Sequence, residues 1–185
     1  MHDAGSSSAR PAHWPAGRRQ SVSLQRSTAA AAAPAASAAA AARAGDEIFA
    51  ADARPVILFD GVCNLCNGGV NFMLDWDREG LFRFAALQSD AGRELLVRSG
   101  RHPTDISSIV LVEQEASFIK ADAVLRIAQS LQAPLPLVAA ALGLLPRLVK
   151  DPVYDVIAGN RYMIFGRSTS CRLSDARFSE RFIST

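Results

Sequence analysis

The stretch Val56-Ile-Leu-Phe-Asp-Gly-Val-Cys63-Asn-Leu-Cys66 passes from a short, unbroken apolar run through an Asp-Gly turn to two cysteines three positions apart. Such a run, Val56 to Phe59, suits a strand buried on both faces of a sheet. Residues 64–79 then carry an apolar stripe at Cys66, Val70, Met73 and Leu74 and late charges at Asp75, Asp77, Arg78 and Glu79, which predicts a helix stopped by Gly80. Two thiols on the first turn of that helix share one face and reach disulfide distance without backbone rearrangement. The helix N-terminus offers unpaired N–H groups and a positive dipole end, which favours the thiolate of the leading cysteine.

A CxxC pair serves redox exchange, forms half of a zinc site, or simply packs. Structural zinc usually takes four Cys or His ligands in spaced pairs. The other ligand types in the folded part are an isolated Cys171 and His102, a loop residue before Pro103, so the spacing argues against a metal site. Placement between a strand and a helix favours redox use. Geometry then separates the two sulfurs: Cys63, at the helix start and expected to be the more exposed, is the attacking thiol, and Cys66, one turn in on the apolar stripe, is the resolving thiol. Asn64 and Leu65 bring neither charge nor proline, so a reducing poise is expected. Asp60 has two readings, a proton acceptor for Cys66 with a pKa raised by burial, or an Asx turn and helix cap. Cys171 lies between Arg167 and Arg172 and reads either as a third redox thiol or as a small packed side chain.

Beyond the cysteines the chain alternates. Leu81–Leu87 reads as a second strand, and Ser89-Asp90 caps a helix to about Ser99, ahead of Gly100. Ser108–Val112 and Ser117–Ala121 form a hairpin around Glu113-Gln-Glu115. Asp122 begins a helix whose Val124, Leu125, Ile127, Ala128 and Leu131 face a core. The order β-α-β-α-β-β-α is the thioredoxin-like order, an α/β fold on a mixed sheet. Residues 134–165 add a helical extension, with Asp151-Pro152 as the N-cap and first position of its second helix. Its apolar run, Leu135 to Leu145, is too short to span a membrane, which takes about 20 residues. Residues 134–165 are expected to cover the sheet or the active-site rim, with a membrane-surface role as the alternative.

The 185 residues carry a formal charge of +2, unevenly placed. Residues 1–45 hold five arginines and one acid, leaving 15 basic against 17 acidic residues in the remainder, a net of −2. That balance gives the folded part no electrostatic case for nucleic acid. Three cysteines are too few for a secreted disulfide scaffold. Residues 1–45, rich in Arg, Ser and Ala, match a disordered organellar transit peptide, chloroplast before mitochondrion, or else a plain disordered extension. The expected domain is 54–175, with 176–185 as a C-terminal tail.

Phe59-Asp60-Gly61-Val62-Cys63-Asn64-Leu65-Cys66-Asn67, Phe82-Arg-Phe-Ala85, Leu87-Gln88-Ser89, Ala121-Asp122-Ala123, Tyr154, Asn160-Arg161-Tyr162 and Phe165-Gly166-Arg167 before Cys171 resemble the DCC family of thiol-disulfide oxidoreductases. The resemblance covers about residues 55–175. It implies a thioredoxin-like domain with Cys63 and Cys66 as the redox pair and Asp60 as the accompanying acid, and chloroplast residence, as in extended plant and algal members. Thioredoxins carry a cis-proline before the third strand; hairpin alignment puts Ser107 or Ser108 there. The expected activity is a protein-disulfide reductase acting as a monomer on protein or low-molecular-weight disulfides, without a bound cofactor. The rival is a non-catalytic interaction or redox-sensing module using 134–165.

Overall fold

Strand β1 (Val56–Phe59) lies at the centre of the fold in a computed structural model that describes residues 28–167 and 176–183. Its four side chains are all buried, because successive residues point to opposite faces and both faces are covered. Ile57 and Phe59 pack with Val70, Met73, Phe84, Leu111 and Ile127 on one side. Val56 and Leu58 pack with Phe49, Leu95, Leu96, Val110 and Val112 on the other. The result is a sheet between two helical layers.

Strand β2 (Arg83–Ala86) pairs parallel to β1, with Ile57 opposite Phe84. Strand β3 (Val110–Val112) pairs antiparallel to the other side of β1, and β4 (Ser117–Ile119) pairs antiparallel to β3. The order β2-β1-β3-β4 is the mixed sheet expected of a thioredoxin-like fold. Counting helices from the chain start, α2 (Asn64–Trp76) and α3 (Asp90–Arg98) follow the first two strands, and α4 (Lys120–Ser130) follows the hairpin. Ser89 caps α3 by accepting from the Gly92 N–H at 3.1 Å. Gly92 is itself required, since a Cβ there would sit 2.0 Å from the Ala86 carbonyl oxygen.

Several local expectations are corrected. The alanine tract assigned to a disordered extension through residue 45 belongs to helix α1 (Thr28–Ala51). Alanine has the highest helix propensity, and the helix end is anchored: Phe49 is buried, Arg98 lies 4.8 Å over its ring, and Arg98 pairs with Asp46 at 2.6 Å. The folded unit therefore begins before Arg54. Residues 1–27, which carry the rest of the transit-peptide reading, lie outside the described residues.

Asp122 is not an N-cap. It lies in the first turn of α4 and pairs with Lys150 and Arg147, each at 2.8 Å. The extension forms α5 (Leu135–Gly143) and α6 (Arg147–Phe165), and α6 starts after Pro146, with Pro152 inside it rather than at its first position. No described helix is long and apolar enough to cross a membrane.

Residues 176–183, read from sequence as a tail, close onto β2. A 3₁₀ turn, Ala176–Arg181, brings the Arg181 guanidinium to the buried Asp77 carboxylate and Nε to the Phe82 carbonyl at 2.9 Å, while the Ile183 N–H bonds the Phe84 carbonyl at 2.9 Å. Asp77 is a buried acid that demands a cation, and the β2 edge has backbone groups to pair.

Candidate active site

The turn after β1 builds the site. Gly61 and Val62 leave the strand end, and the Val62 N–H bonds Asp60 Oδ1 at 3.2 Å, so the Asx-turn reading of Asp60 is realised. Cys63 is the N-cap of α2, with φ −95° and ψ 121°. Its Sγ accepts the Cys66 N–H at 3.4 Å, taking the place a hydroxyl or carboxylate oxygen holds in an ordinary cap. A sulfur so placed receives an N–H at the positive end of the helix dipole.

The sequence predicted Cys63 to be the more exposed cysteine; the structure reverses this. Cys63 is 0 % exposed, whereas Cys66 is only partly buried. The chain after α6 turns back at Gly166, φ +76°, and runs beside Cys63. Cys63 forms an antiparallel bridge with Arg167. Asn64 holds this segment through Nδ2 to the Phe165 carbonyl at 2.9 Å and its own N–H to the Gly166 carbonyl at 3.4 Å. A contact across a hundred residues has no local sequence signature. Burial pushes the Cys66 thiol up to about 12, and the neighbouring Cys63 adds to the effect.

Asp60 does not have the raised pKa expected of a proton acceptor. Burial pushes its carboxyl up, but hydrogen bonds from Tyr162, Gln88, the Val62 N–H and Arg161 outweigh it, leaving the pKa below the ordinary value. Gln88 Nε2 reaches Oδ1 at 2.7 Å, Arg161 Nη2 reaches Oδ2 at 3.1 Å, and the Tyr162 hydroxyl donates to the same oxygen. Arg161 also donates to the carbonyls of Ile106 and Ala158 at 2.9 and 2.8 Å, and its guanidinium lies 4.5 Å over the Tyr162 ring. Asp60 is thus the ionised centre of a bonded cluster joining the CxxC turn to α6. Arg161, Tyr162 and Gln88 appear above only as motif residues; the signal that could have found them is the need of a buried carboxylate for a cation and donors.

Beside Cys66 lies a cavity of about 70 Å³, lined by Asp60, Ser107, Ser108, Tyr154 and Arg161 and walled by Leu65, Ile106 and Ile157. The two serines that align with the thioredoxin cis-proline position thus border the redox turn. The Tyr154 hydroxyl accepts the Ile109 N–H at 3.0 Å, tying α6 to the start of β3. Ser108 Oγ and Arg161 Nε are buried without a hydrogen-bond partner. Among the described residues, no group of three His, Cys, Asp or Glu could hold a metal ion. His102 is exposed, and Cys171 lies outside the described residues.

A family model described as DCC1-like thiol-disulfide oxidoreductase matches residues 57–167. A chloroplastic DCC family protein of Arabidopsis thaliana is 56% identical over 125 residues, 68% of this chain and 73% of the relative. The uncharacterized protein YuxK of Bacillus subtilis is 41% identical over 129 residues, 69% of this chain and 93% of the relative. No solved structure gives a significant match. The matched segment begins in β1 and closes on Arg167, spanning the CxxC turn and the α6 residues that hold Asp60, and on that ground the chain belongs to the DCC1-like thiol-disulfide oxidoreductase family, a class of redox enzymes.

Proposed function

We propose that the protein is a protein-disulfide reductase that cycles Cys63 and Cys66 between dithiol and disulfide. The observation that carries this reading is the Cys63 Sγ at the N-cap of α2, accepting the Cys66 N–H. Exposure and electrostatics favour different sulfurs as the attacker. We follow electrostatics, because only a thiolate attacks, and Cys66 is held protonated far above neutral pH.

In the forward step the Cys63 thiolate attacks one sulfur of the substrate disulfide, forming a mixed disulfide and releasing the other sulfur as a thiolate. That thiolate takes the Cys66 proton. The Cys66 thiolate then attacks Cys63 Sγ, which closes the Cys63–Cys66 disulfide and releases the second substrate sulfur as a thiolate that takes its proton from solvent. A dithiol reductant restores the pair by the reverse exchange. Cys63 is fully buried, so attack requires the structure around it to open, and we place that opening at the Phe165–Arg167 segment bonded to Asn64. Asp60, ionised and fully bonded, serves as a positioning residue that couples the turn to α6 rather than as the base.

The reading extends to the chloroplast, the compartment named for the Arabidopsis relative, and to a monomer acting on protein or low-molecular-weight disulfides. The test is insulin reduction followed by turbidity. Cys63→Ser is expected to abolish it and Cys66→Ser to trap a mixed disulfide; full activity in Cys63→Ser overturns the assignment. A partner-docking role is the second reading, favoured by the exposed apolar side chains of α5 and α6, Leu148 at 89 % exposure among them. A Cys63–Cys66 pair that fails to cycle against glutathione selects it.

A further inference from the structure

A groove of about 370 Å³ runs between α4, α5 and α6, lined by Val124, Leu142, Leu145 and Val153 together with Tyr154 and Ile157. These apolar side chains are not spare core: Val153 is 59 % exposed, and Val124, Leu142, Leu145 and Ile157 are exposed as well. An apolar concavity of this size has the dimensions of a binding site rather than of a packing defect. Tyr154 and Ile157 also line the cavity that contains Cys66, so the groove and the redox cavity meet along one stretch of α6.

We propose that this groove binds the apolar chain flanking the target disulfide of a polypeptide substrate, which names the substrate class of the reductase reading and rests on it. Because Tyr154 and Ile157 line both, an occupant of the groove lies against the α6 side chains that wall the Cys66 cavity. The charge bordering the groove selects a neutral apolar chain over an anionic membrane surface. Of the residues lining the groove, Lys150 is charged, and its ammonium is paired with Asp122 at 2.8 Å. A cation already paired with a carboxylate offers little to lipid phosphates. A polypeptide needs no such charge, since its binding energy comes from the buried aliphatic side chains.

The test uses the full chain and three disulfides: a cyclic disulfide peptide flanked by Leu and Val, one of equal charge flanked by Ser and Gln, and hydroxyethyl disulfide. The wild-type protein is expected to show a KM about tenfold lower for the apolar peptide than for the polar one, the worth of burying about one aliphatic side chain. Val153→Glu on α6 and Val124→Gln on α4 should each raise the apolar-peptide KM about tenfold with kcat changed less than twofold. Because the two lie on different helices, a folding defect in one does not decide the result. Equal wild-type KM values for both peptides, or a preference retained in both variants, overturn the groove while turnover of hydroxyethyl disulfide leaves the reductase reading standing. Inactivity toward all three disulfides overturns that reading and the groove with it. Sedimentation of wild type as a dimer that Val153→Glu dissolves, or co-sedimentation with phosphatidylglycerol vesicles that Val153→Glu abolishes, assigns the surface to a second copy or to a membrane and likewise overturns the proposal.

Discussion

Arg161 and Asp60, 101 residues apart in the chain, form a buried ion pair with Nη2 and Oδ2 at 3.1 Å. Asp60 closes β1 and opens the CxxC turn, while Arg161 belongs to the last turns of α6. The pair therefore fastens the helical extension to the redox turn.

Arg161→Met is expected to cost about 3 kcal/mol of stability, because it leaves the Asp60 charge buried with only neutral donors around it. Urea unfolding at neutral pH measures this. A cost below about 1 kcal/mol shows that Tyr162, Gln88 and the Val62 N–H suffice to hold the carboxylate.

The same pair predicts an acid limb of stability. Asp60 has its pKa lowered from the ordinary 3.8, and Asp52 is lowered to about 2, chiefly by the hydrogen bond from the Arg54 side chain against burial. A carboxyl with a lowered folded pKa contributes stability that is present above the unfolded value and lost as pH falls through the folded one. The urea midpoint should hold steady down to about pH 5 and fall from about pH 4 toward pH 2. In Asp60→Asn the fall should be shallower from a lower starting point, and an unchanged slope removes Asp60 from the account.

Cys66 titrates at the opposite end of the scale. Burial is the first cause of its raised pKa and persists when Cys63 is removed. In a Cys63→Ala, Cys171→Ala variant, iodoacetamide alkylation of Cys66 should still be climbing at pH values above the ordinary 9.0. A plateau reached below pH 9 contradicts this. With the sign reversed from the carboxyl case, the wild-type thiol contributes stability that is present below pH 9.0 and lost as pH rises toward about 12.

Ser108→Ala should leave stability unchanged or raise it, by up to about 1 kcal/mol, because the buried Ser108 hydroxyl has no hydrogen-bond partner to lose. Thermal unfolding reads this as an unchanged or higher Tm. A loss greater than about 1 kcal/mol shows that the hydroxyl is bonded in solution.

Much of the fold was legible because its signals are local. The unbroken apolar run of Val56–Phe59 is buried on both faces, Ser89 caps α3 as its position before Asp90 suggested, and the strand-helix order leads to the observed sheet. Composition misled at the alanine tract. Low-complexity alanine reads as disorder until a docking side chain such as Phe49 gives its intrinsic helicity something to pack against. The closing residues misled for a related reason: Arg181 resembles a surface charge until Asp77 is known to be buried beside it.

In the site, the positions of Asp60, Cys63 and Cys66 follow from a strand end, a turn and a helix start, all set by hydrogen bonds within a few residues. The sequence by itself therefore determined that two thiols meet at a helix N-terminus. Only the tertiary structure decided that Cys63 is the fully buried sulfur, that Asp60 is paired with Arg161, and that an apolar groove adjoins the Cys66 cavity. Each depends on α6 returning across the turn, and burial and charge pairing over such separations arise from packing rather than from neighbouring residues.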